Sequence, residues 1–157
     1  MKIFLLTHQR ELDRKTNTGN LALEILPKHV KRITWERSLP DATLLACIEK
    51  GTVALLFPSD ASETVVHAAS FDAFIILDGT WQEAQKIYNK SPYLHDLPKL
   101  SIRSNSPSQY HLRRNQKTEG LCTAEVVIAL LQRCDEIEKA DKVEQSFITF
   151  MHQGKET

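Results

Sequence analysis

The sequence Asp78-Gly79-Thr80-Trp81 places a carboxylate, a hydroxyl and an indole directly after the apolar run Ala73–Leu77. If that run is a strand and a helix follows it, Asp78 stands at the strand-to-helix turn, where backbone N–H groups and the helix dipole keep a carboxylate ionised. Such a carboxylate can bind a cation or act as a weak base. From spacing alone, a plain N-cap for Asp78 and a core position for Trp81 are the more common outcomes.

Polar clusters also follow two other short apolar runs. The segment 7–11 comes after Ile3–Leu6, and Pro58-Ser59-Asp60 comes after Val53–Phe57. In open parallel sheets, ligands bind in the crevice outside the carboxyl ends of the strands. The sequence therefore predicts one pocket to which all three clusters contribute.

A long polar segment, Ser101–Gly120, holds a group of cationic and aromatic side chains. Arginine, histidine and lysine beside tyrosine suit phosphate contacts and base stacking, although an ordinary solvated loop has the same composition. Loops of this length in compact domains are usually functional or disordered. If this segment binds RNA, the residues in contact would be Tyr110, Arg113, Arg114 and Lys117, whereas from composition alone a solvated loop is the more common outcome.

Further candidate residues lie at the predicted start of the helix near Thr123 and at the predicted end of the first strand. Thr123 precedes an apolar helical pattern and is predicted to be its N-cap, with Glu125 favoured in the first turn, and this helix start could also hold an anion. Cys122 has no histidine close in sequence to activate it, so a nucleophilic role has little support. His8 and Glu11 are too few ligands for a metal, so we predict none and expect hydrogen bonds at the strand end.

The apolar runs lack the alternation of apolar and polar residues that is typical of a sheet with one solvent-exposed face. They are therefore predicted to be strands covered on both sides. A fourth run, Val30–Trp35, is more polar and is expected nearer an edge. Strands alternating with helices predict an α/β domain with a mostly parallel sheet. The helical patterns begin at Thr18 and end at Pro27, begin at Asp41 and end at Gly51, run from about Gly79 to Asn89, and start near Thr123.

Two of these helices carry a predicted apolar face. The helix that starts near Thr123 is expected to be the longest, and the acidic stretch Asp135–Glu144 is expected to be a solvated helix face. The predicted faces are Val127, Leu130, Leu131, Cys134 and Ile137 in the longest helix, and Trp81, Ala84, Ile87 and Tyr88 in the helix before it.

The charge balance limits how the chain can bind nucleic acid. Lys and Arg number 20 and Asp and Glu number 20, whereas proteins that bind phosphate backbones usually carry a positive balance. Any affinity for RNA must then come from a local patch. Cations of the N-terminal third could form one basic side or be scattered over the surface; they are Arg10, Arg14, Lys15, Lys28, His29, Lys31 and Arg32.

The 157 residues fit a single domain, assigned here to 1–157. The three cysteines form no C-x-x-C pair and are predicted to be reduced thiols, so we expect a cytoplasmic location. The apolar segment 1–6 is too short for a signal peptide, and no other stretch approaches a membrane span. No membrane partner is therefore expected.

These motifs together resemble the DTW-domain family, a group related to the ribosomal RNA aminocarboxypropyltransferases. They occur in family order from Thr7 to about Leu131 and are jointly specific. They are His8 and Glu11, Thr16-Asn17-Thr18 with Gly19, Pro58-Ser59, Asp78-Gly79-Thr80-Trp81 with Ala84, Leu94, Pro98, Leu112-Arg113, and Gly120-Leu121-Cys122-Thr123-Ala124-Glu125. The sequence departs from the family pattern in two respects. It begins at the first strand without the N-terminal cysteine cluster of many relatives, and it has Val126 where relatives commonly have alanine.

The resemblance implies a SPOUT-like fold with a deep trefoil knot near the C-terminus, and this fold class often forms homodimers. It also implies S-adenosylmethionine as the donor of a 3-amino-3-carboxypropyl group and a uridine in tRNA as the acceptor. The products would be acp3U and methylthioadenosine. Alternatives are an RNA methyltransferase of the SPOUT class, a non-catalytic RNA-binding module, and an α/β domain with another small ligand.

The resemblance also implies roles for single residues. Asp78 would take the uracil N3 proton or position the uracil, and Asp78→Ala is expected to abolish transfer while leaving the fold intact. Trp81 would shape the pocket wall near the aminocarboxypropyl arm, and Arg113 would hold an RNA phosphate or the donor carboxylate. The implied donor-binding residues are Pro58, Ser59, Thr80, Thr123 and Ala124.

Overall fold

A computed structural model describes residues 1–56, 68–102 and 122–155. It contains one five-stranded sheet in which every neighbouring pair of strands is parallel, in the order β2-β1-β4-β3-β5. This confirms the predicted α/β class, and β2 lies at an edge as expected. The short β5 was not predicted. The strands are β1 Lys2–Thr7, β2 Val30–Thr34, β3 Val53–Leu56, β4 Ala73–Asp78 and β5 Lys99–Leu100.

The strands form because their side chains are buried on both faces of the sheet. In β1, Ile3 and Leu5 belong to one apolar cluster, while Phe4 and Leu6 belong to a second cluster on the opposite face. Successive side chains of a strand point to opposite faces, so a continuous apolar run fills both clusters at once. Two layers of helices must therefore cover the sheet.

Five helices provide these layers. The cluster around Ile3 and Leu5 includes residues of α1, α4 and α5, and the cluster around Phe4 and Leu6 includes residues of α2 and α3. Within the described ranges, no helix is both long and apolar enough to cross a membrane. The helices are α1 Gly19–Ile25, α2 Ala42–Glu49, α3 Trp81–Asn89, α4 Thr123–Arg133 and α5 Ile137–Lys155.

The ends of α2 are those that the sequence predicts. The Asp41 side chain accepts a hydrogen bond from the N–H of Leu44, and Gly51 after the helix has a φ of +80°. At α1, Thr18 does occupy the N-cap position, but its side chain makes no capping hydrogen bond. The Thr18 hydroxyl instead accepts from the backbone N–H of Ala124 at 3.0 Å, which ties α1 to α4.

The prediction of one longest helix from Thr123 through Ile137 is wrong. The chain leaves α4 at Cys134, and Asp135 has a φ of 59°, so a second helix begins at Ile137. Ile137 is 51% exposed rather than part of the α4 face. Among the described residues the longest helix is α5, with 19 residues, and its buried side chains are Ala140, Val143, Phe147 and Met151.

The acidic stretch Asp135–Glu144 is therefore only partly a solvated face. Its carboxylates are exposed or partly exposed, whereas Ala140 and Val143 between them are fully buried in the apolar cluster that α5 shares with α1 and α4. A SPOUT-like trefoil knot remains a prediction, because the segment 103–121 that leads into α4 lies outside the described residues.

Candidate functional site

The centre of the site is the carboxylate of Asp78, which is 1% exposed at the carboxyl end of β4. It accepts from Thr7 Oγ1 at 3.0 Å, from Arg32 Nη2 at 3.2 Å and from Thr123 Oγ1 at 2.7 Å. The amide of Asn17 lies 3.0 and 3.1 Å from its two oxygens. Four side chains that are far apart in sequence therefore share one buried anion.

The sheet brings three of these groups together. Thr7 and Asp78 are register partners on adjacent strands, and they continue the side of the sheet that buries Ile3, Leu5 and other residues of the first apolar cluster. Arg32 lies in β2, which is separated from β4 by β1. Its side chain must therefore cross over Thr7 to reach Asp78, a distance of about two strand spacings or ~10 Å.

All three nitrogen atoms of the Arg32 guanidinium group donate hydrogen bonds. Its Nε donates to Thr7 Oγ1 at 3.1 Å, and its two terminal nitrogens donate to Asn20 Oδ1 at 2.6 Å and Asn17 Oδ1 at 2.8 Å. The single hydroxyl proton of Thr7 lies within reach of Asp78 and of the Leu5 carbonyl at 3.2 Å. The shorter contact and the charged acceptor favour Asp78.

A second group of charges adjoins the first through Asn17, whose amide also donates to Glu11 Oε2 at 2.8 Å. Arg14 pairs with Glu11 and donates to both carboxylate oxygens of Glu83 at 3.1 Å. Burial is the largest influence on the Arg14 pKa and lowers it, but the hydrogen bond and charge of Glu83 and the charge of Glu11 outweigh burial, so the pKa is raised. Burial likewise acts to raise the Glu83 pKa, but the Thr80 N–H and Arg14 outweigh it and lower that pKa.

The combined network holds three carboxylates against two guanidinium groups, which leaves one formal negative charge. Its charged members are Glu11, Arg14, Arg32, Asp78 and Glu83. An enclosed site with this excess favours a positively charged group beside it. Among the described residues, no group of three or more histidine, cysteine, aspartate or glutamate side chains could hold a metal ion.

The plain N-cap interpretation of Asp78 is wrong, because Thr80 caps α3. The Thr80 hydroxyl accepts from the Glu83 N–H at 3.2 Å, and Glu83 Oε1 accepts from the Thr80 N–H at 2.9 Å. This reciprocal capping box fixes the start of the helix. The Thr80 side chain is therefore already used within α3, and Glu83 joins the cap to Arg14.

Trp81 is the first residue of α3 and is 40% exposed, so its predicted position in the core is wrong. The face of α3 turned towards the sheet carries Glu83 and Ile87, with Ala84 and Tyr88 partly buried beside them. Glu83 is turned inward, where it accepts from Arg14 as well as from the Thr80 N–H. Trp81 is consequently turned towards solvent at the carboxyl edge.

The start of α4 differs from the prediction by one residue. Cys122 occupies the N-cap position and its N–H donates to Glu125 Oε1 at 3.1 Å, so Thr123 is not the cap. The Thr123 hydroxyl is free to donate to Asp78, and the Ala124 N–H donates to Thr18. Burial raises the pKa of Cys122 to about 12, and such a neutral thiol cannot serve as a nucleophile.

His8 makes the strand-end hydrogen bond that the sequence predicts. Its Nδ1 accepts from the Arg10 N–H at 3.1 Å and lies 3.8 Å from Glu83 Oε2, while its ring stacks on that of Trp35 with centroids 5.9 Å apart. The imidazole therefore joins the segment after β1 to the segment after β2.

In a comparison with known protein families, the family model described as the DTW domain matches residues 1–155 of this chain. The chain belongs to the DTW-domain family. A relative from Drosophila melanogaster, named tRNA-uridine aminocarboxypropyltransferase 2, is 31% identical over 148 residues, which cover 87% of this chain and 58% of that protein.

Two further relatives of this DTW domain carry the same name. The Mus musculus protein is 29% identical, with 83% of this chain and 48% of that protein covered, and the Macaca fascicularis protein is 24% identical, with 87% and 50% covered. The chain thus spans about half the length of the curated relatives it matches. No solved structure matches it.

Among the described motif residues, those that follow β1 and β4 and those at the starts of α1 and α4 lie together at the carboxyl edge of the sheet, whereas Leu94 and Pro98 lie between α3 and β5. Gly19 shows how closely the residues at this edge pack, because a Cβ atom built there would lie 2.9 Å from Asn17 Oδ1 and 3.1 Å from Arg32 Nη2. The predicted site residues that lie outside the described residues are Pro58, Ser59, Tyr110, Arg113, Arg114 and Lys117.

Sequence reasoning missed the importance of Thr7, Arg14, Arg32 and Glu83 in this DTW domain. Arg14 and Arg32 were grouped with surface cations, whereas both are paired with buried carboxylates. One signal was available for Arg32. It shares a face of β2 with Val30, and a cation on a face that the sheet buries requires a buried partner.

Proposed function

We propose that this DTW domain transfers the 3-amino-3-carboxypropyl group of S-adenosylmethionine to N3 of a uridine in tRNA. The observation that carries the proposal is the match of the DTW domain to residues 1–155, together with relatives that are named tRNA-uridine aminocarboxypropyltransferase 2. The polar network at the carboxyl edge supports it, because this edge is where parallel α/β sheets bind ligands.

The proposed reaction forms one bond and breaks two. Uracil N3 forms a bond to the carbon next to the sulfonium, and the bond between that carbon and sulfur breaks with its electron pair moving to sulfur. The N3–H bond also breaks and its proton passes to Asp78 or to solvent water, so the products are acp3U and methylthioadenosine. The protein must hold acceptor and donor in line, and such positioning supplies a large part of the rate of bimolecular reactions in enzymes.

The charge of the network fits a sulfonium donor. Its single excess negative charge favours a cation at the site, whereas two arginines without their carboxylates would repel it. On the family resemblance we assign donor binding to Thr123 and Ala124 at the start of α4, and to Thr80 at the start of α3, although both hydroxyls and the Ala124 N–H already bond within the protein. Trp81, exposed beside Thr80, is assigned to the pocket wall near the aminocarboxypropyl arm.

Two predicted donor residues, Pro58 and Ser59, stay in the proposal on the resemblance alone. The same applies to the RNA contacts of Tyr110, Arg113, Arg114 and Lys117. We also propose a cytoplasmic location, which suits the three free cysteines Cys47, Cys122 and Cys134.

The role of Asp78 as acceptor of the N3 proton stays a prediction. A carboxylate has about four lone-pair sites, and those of Asp78 already receive hydrogen bonds from Thr7, Asn17, Arg32 and Thr123. These contacts favour an anchoring role, in which Asp78 fixes the first turn of α4 where the donor is proposed to bind. In that role, Asp78→Ala lowers transfer by disturbing the site and also destabilises the fold.

The reaction is tested by incubating the protein with S-adenosylmethionine and unmodified tRNA, followed by mass spectrometry of nucleosides and small products. We expect acp-uridine and methylthioadenosine in equal amounts. A methylated nucleoside with S-adenosylhomocysteine would instead make the protein a methyltransferase. If neither product forms with tRNA or ribosomal RNA while RNA still binds, the domain is a binding module and the proposal is wrong.

A further inference from the structure

Three large apolar side chains are exposed at the carboxyl edge of the sheet. Leu12 is 40% exposed after β1, Leu39 is 69% exposed after β2, and Trp81 is 40% exposed after β4. In the part of the chain that the structure describes, the other exposed large apolar residues are Met1, which precedes β1, and Ile137, which follows α4. Both of these belong to the opposite edge, so three of the five exposed large apolar side chains among the described residues lie on segments that follow the carboxyl ends of strands.

The three segments that carry these side chains leave the sheet side by side. The Trp35 N–H donates to the Thr7 carbonyl at 2.8 Å, which joins the segments after β1 and β2. The His8 N–H donates to the Asp78 carbonyl at 3.1 Å, and a Cβ atom built on Gly79 would lie 3.5 Å from the His8 Cβ. The segment after β1 is therefore in contact with both of the others.

The same segments carry exposed guanidinium groups. Arg10 follows β1 and Arg37 follows β2, and neither side chain has an ion-pair partner among the described residues. This distinguishes them from Arg14 and Arg32, whose charges the buried carboxylates neutralise. The edge surface, defined as Arg10, Leu12, Arg37, Leu39 and Trp81, thus combines apolar side chains with cations that remain available to a ligand.

We propose that the edge surface binds an unpaired RNA segment next to the nucleotide in the site. Unpaired bases offer flat apolar faces that pack on exposed apolar and aromatic side chains, while cations between them contact phosphates. Paired RNA hides these base faces inside its helix and offers mainly phosphates and ribose, which leaves Leu12 and Leu39 without a matching surface. The local cations also account for RNA binding by a chain without net charge.

The proposal rests on the proposed function for a nucleotide in the site and for tRNA as the RNA, and binding is measured without the donor so that the two can fail separately. Arg37→Glu and Leu39→Ser are compared with Lys28→Glu and Ile137→Ser, which make the same changes at exposed positions of the opposite edge. Fluorescence anisotropy gives the Kd for unmodified tRNA at several salt concentrations, and for a short unpaired uridine-containing RNA and its fully paired duplex. Urea unfolding checks that all four variants fold like the wild type.

We expect Arg37→Glu to raise the Kd about tenfold and to lower the slope of log Kd against log salt by about one. Leu39→Ser is expected to raise the Kd about fivefold, because it removes an apolar contact to a base. The opposite-edge variants should stay within about twofold of the wild type. The unpaired RNA should bind more tightly than its duplex.

The edge surface is ruled out by equal Kd values for all four variants, by duplex binding as tight as unpaired binding, or by a wild-type chain that binds no RNA. If the wild type makes acp-uridine while the edge variants keep its Kd and its KM for tRNA, the edge surface is wrong and the proposed function stands. If no product forms but the edge variants alone lose binding, the edge surface stands and the proposed function is wrong.

Discussion

Replacing Asp78 by asparagine tests the buried network with little change of shape. If the new carbonyl keeps the Oδ2 position, it still accepts from Thr7, Arg32 and Asn17, and the new NH2 group at the Oδ1 position faces Thr123 and Asn17. Thr123 can rotate its hydroxyl to accept, but the Asn17 amide nitrogen can only donate. The variant therefore has one pair of donors facing each other and leaves Arg32 without its counter-charge.

The expected cost follows from these losses. Removing one partner of a buried ion pair costs about 3–5 kcal/mol of folding free energy. Arg32 keeps the amide oxygens of Asn17 and Asn20, and its side chain is 17% exposed, so the lower end applies. We expect Asp78→Asn to lower the free energy of unfolding by about 3 kcal/mol.

The assay is equilibrium urea unfolding at neutral pH, followed by far-ultraviolet circular dichroism. The matched control is Asp141→Asn on the exposed side of α5, which should stay within about 0.5 kcal/mol of the wild type. In the double variant Asp78→Asn with Arg32→Met, the buried charge is also removed, so the combined cost should be less than the sum of the single costs. A loss below about 1 kcal/mol for Asp78→Asn, or strict additivity in the double variant, would refute the network as a source of stability.

Three further outcomes follow from the same contacts. Gly19→Ala should lower the unfolding free energy by about 1–3 kcal/mol despite the higher helix propensity of alanine, because its Cβ would press on Asn17 and Arg32; an unchanged or raised Tm contradicts this. The folded-state pKa of Glu83 lies below its ordinary value of 4.5, so its stabilisation is complete above that value and is lost as the pH falls through the lowered pKa. Urea titrations from pH 7 to pH 3 should therefore show Glu83→Gln less stable than the wild type at pH 7, and this difference in the free energy of unfolding should shrink as the pH falls. A difference that stays constant with pH would show that the charge of Glu83 is not responsible. Iodoacetamide at pH 8 should label Cys47 and Cys134 before Cys122, whose pKa is raised by burial to about 12, and mass spectrometry showing Cys122 labelled first in the native protein would be inconsistent with that burial.

The strands of this domain could be predicted because their pattern is local. A run such as Ala73–Leu77 is apolar throughout, and this suffices to indicate a strand covered on both sides. The two-residue β5 has no such pattern. The break between α4 and α5 was missed because apolar spacing continues through Ile137, while the turn depends on a single left-handed residue, Asp135.

The location of the polar network could be predicted from the sequence, but its hydrogen-bond and ion-pair partners could not. Polar residues after parallel strands have to gather at one edge, which placed Asp78 correctly. The pairing of Asp78 with Arg32 depends on the strand order, since β1 separates the two strands and Thr7 lies under the arginine. That order is set by tertiary packing, so no local pattern of residues shows it.

The contacts between the start of α4 and the N-terminal half have a consequence for biosynthesis. Thr18 and Asp78 leave the ribosome well before Thr123 and Ala124, which complete their hydrogen bonds. Until α4 and α5 have been made, the sheet face lined by side chains such as Ile3 and Phe74 lacks most of its cover. Nascent chains in this state expose apolar surface and aggregate readily, so chaperones that shield such surfaces should engage this protein during its synthesis.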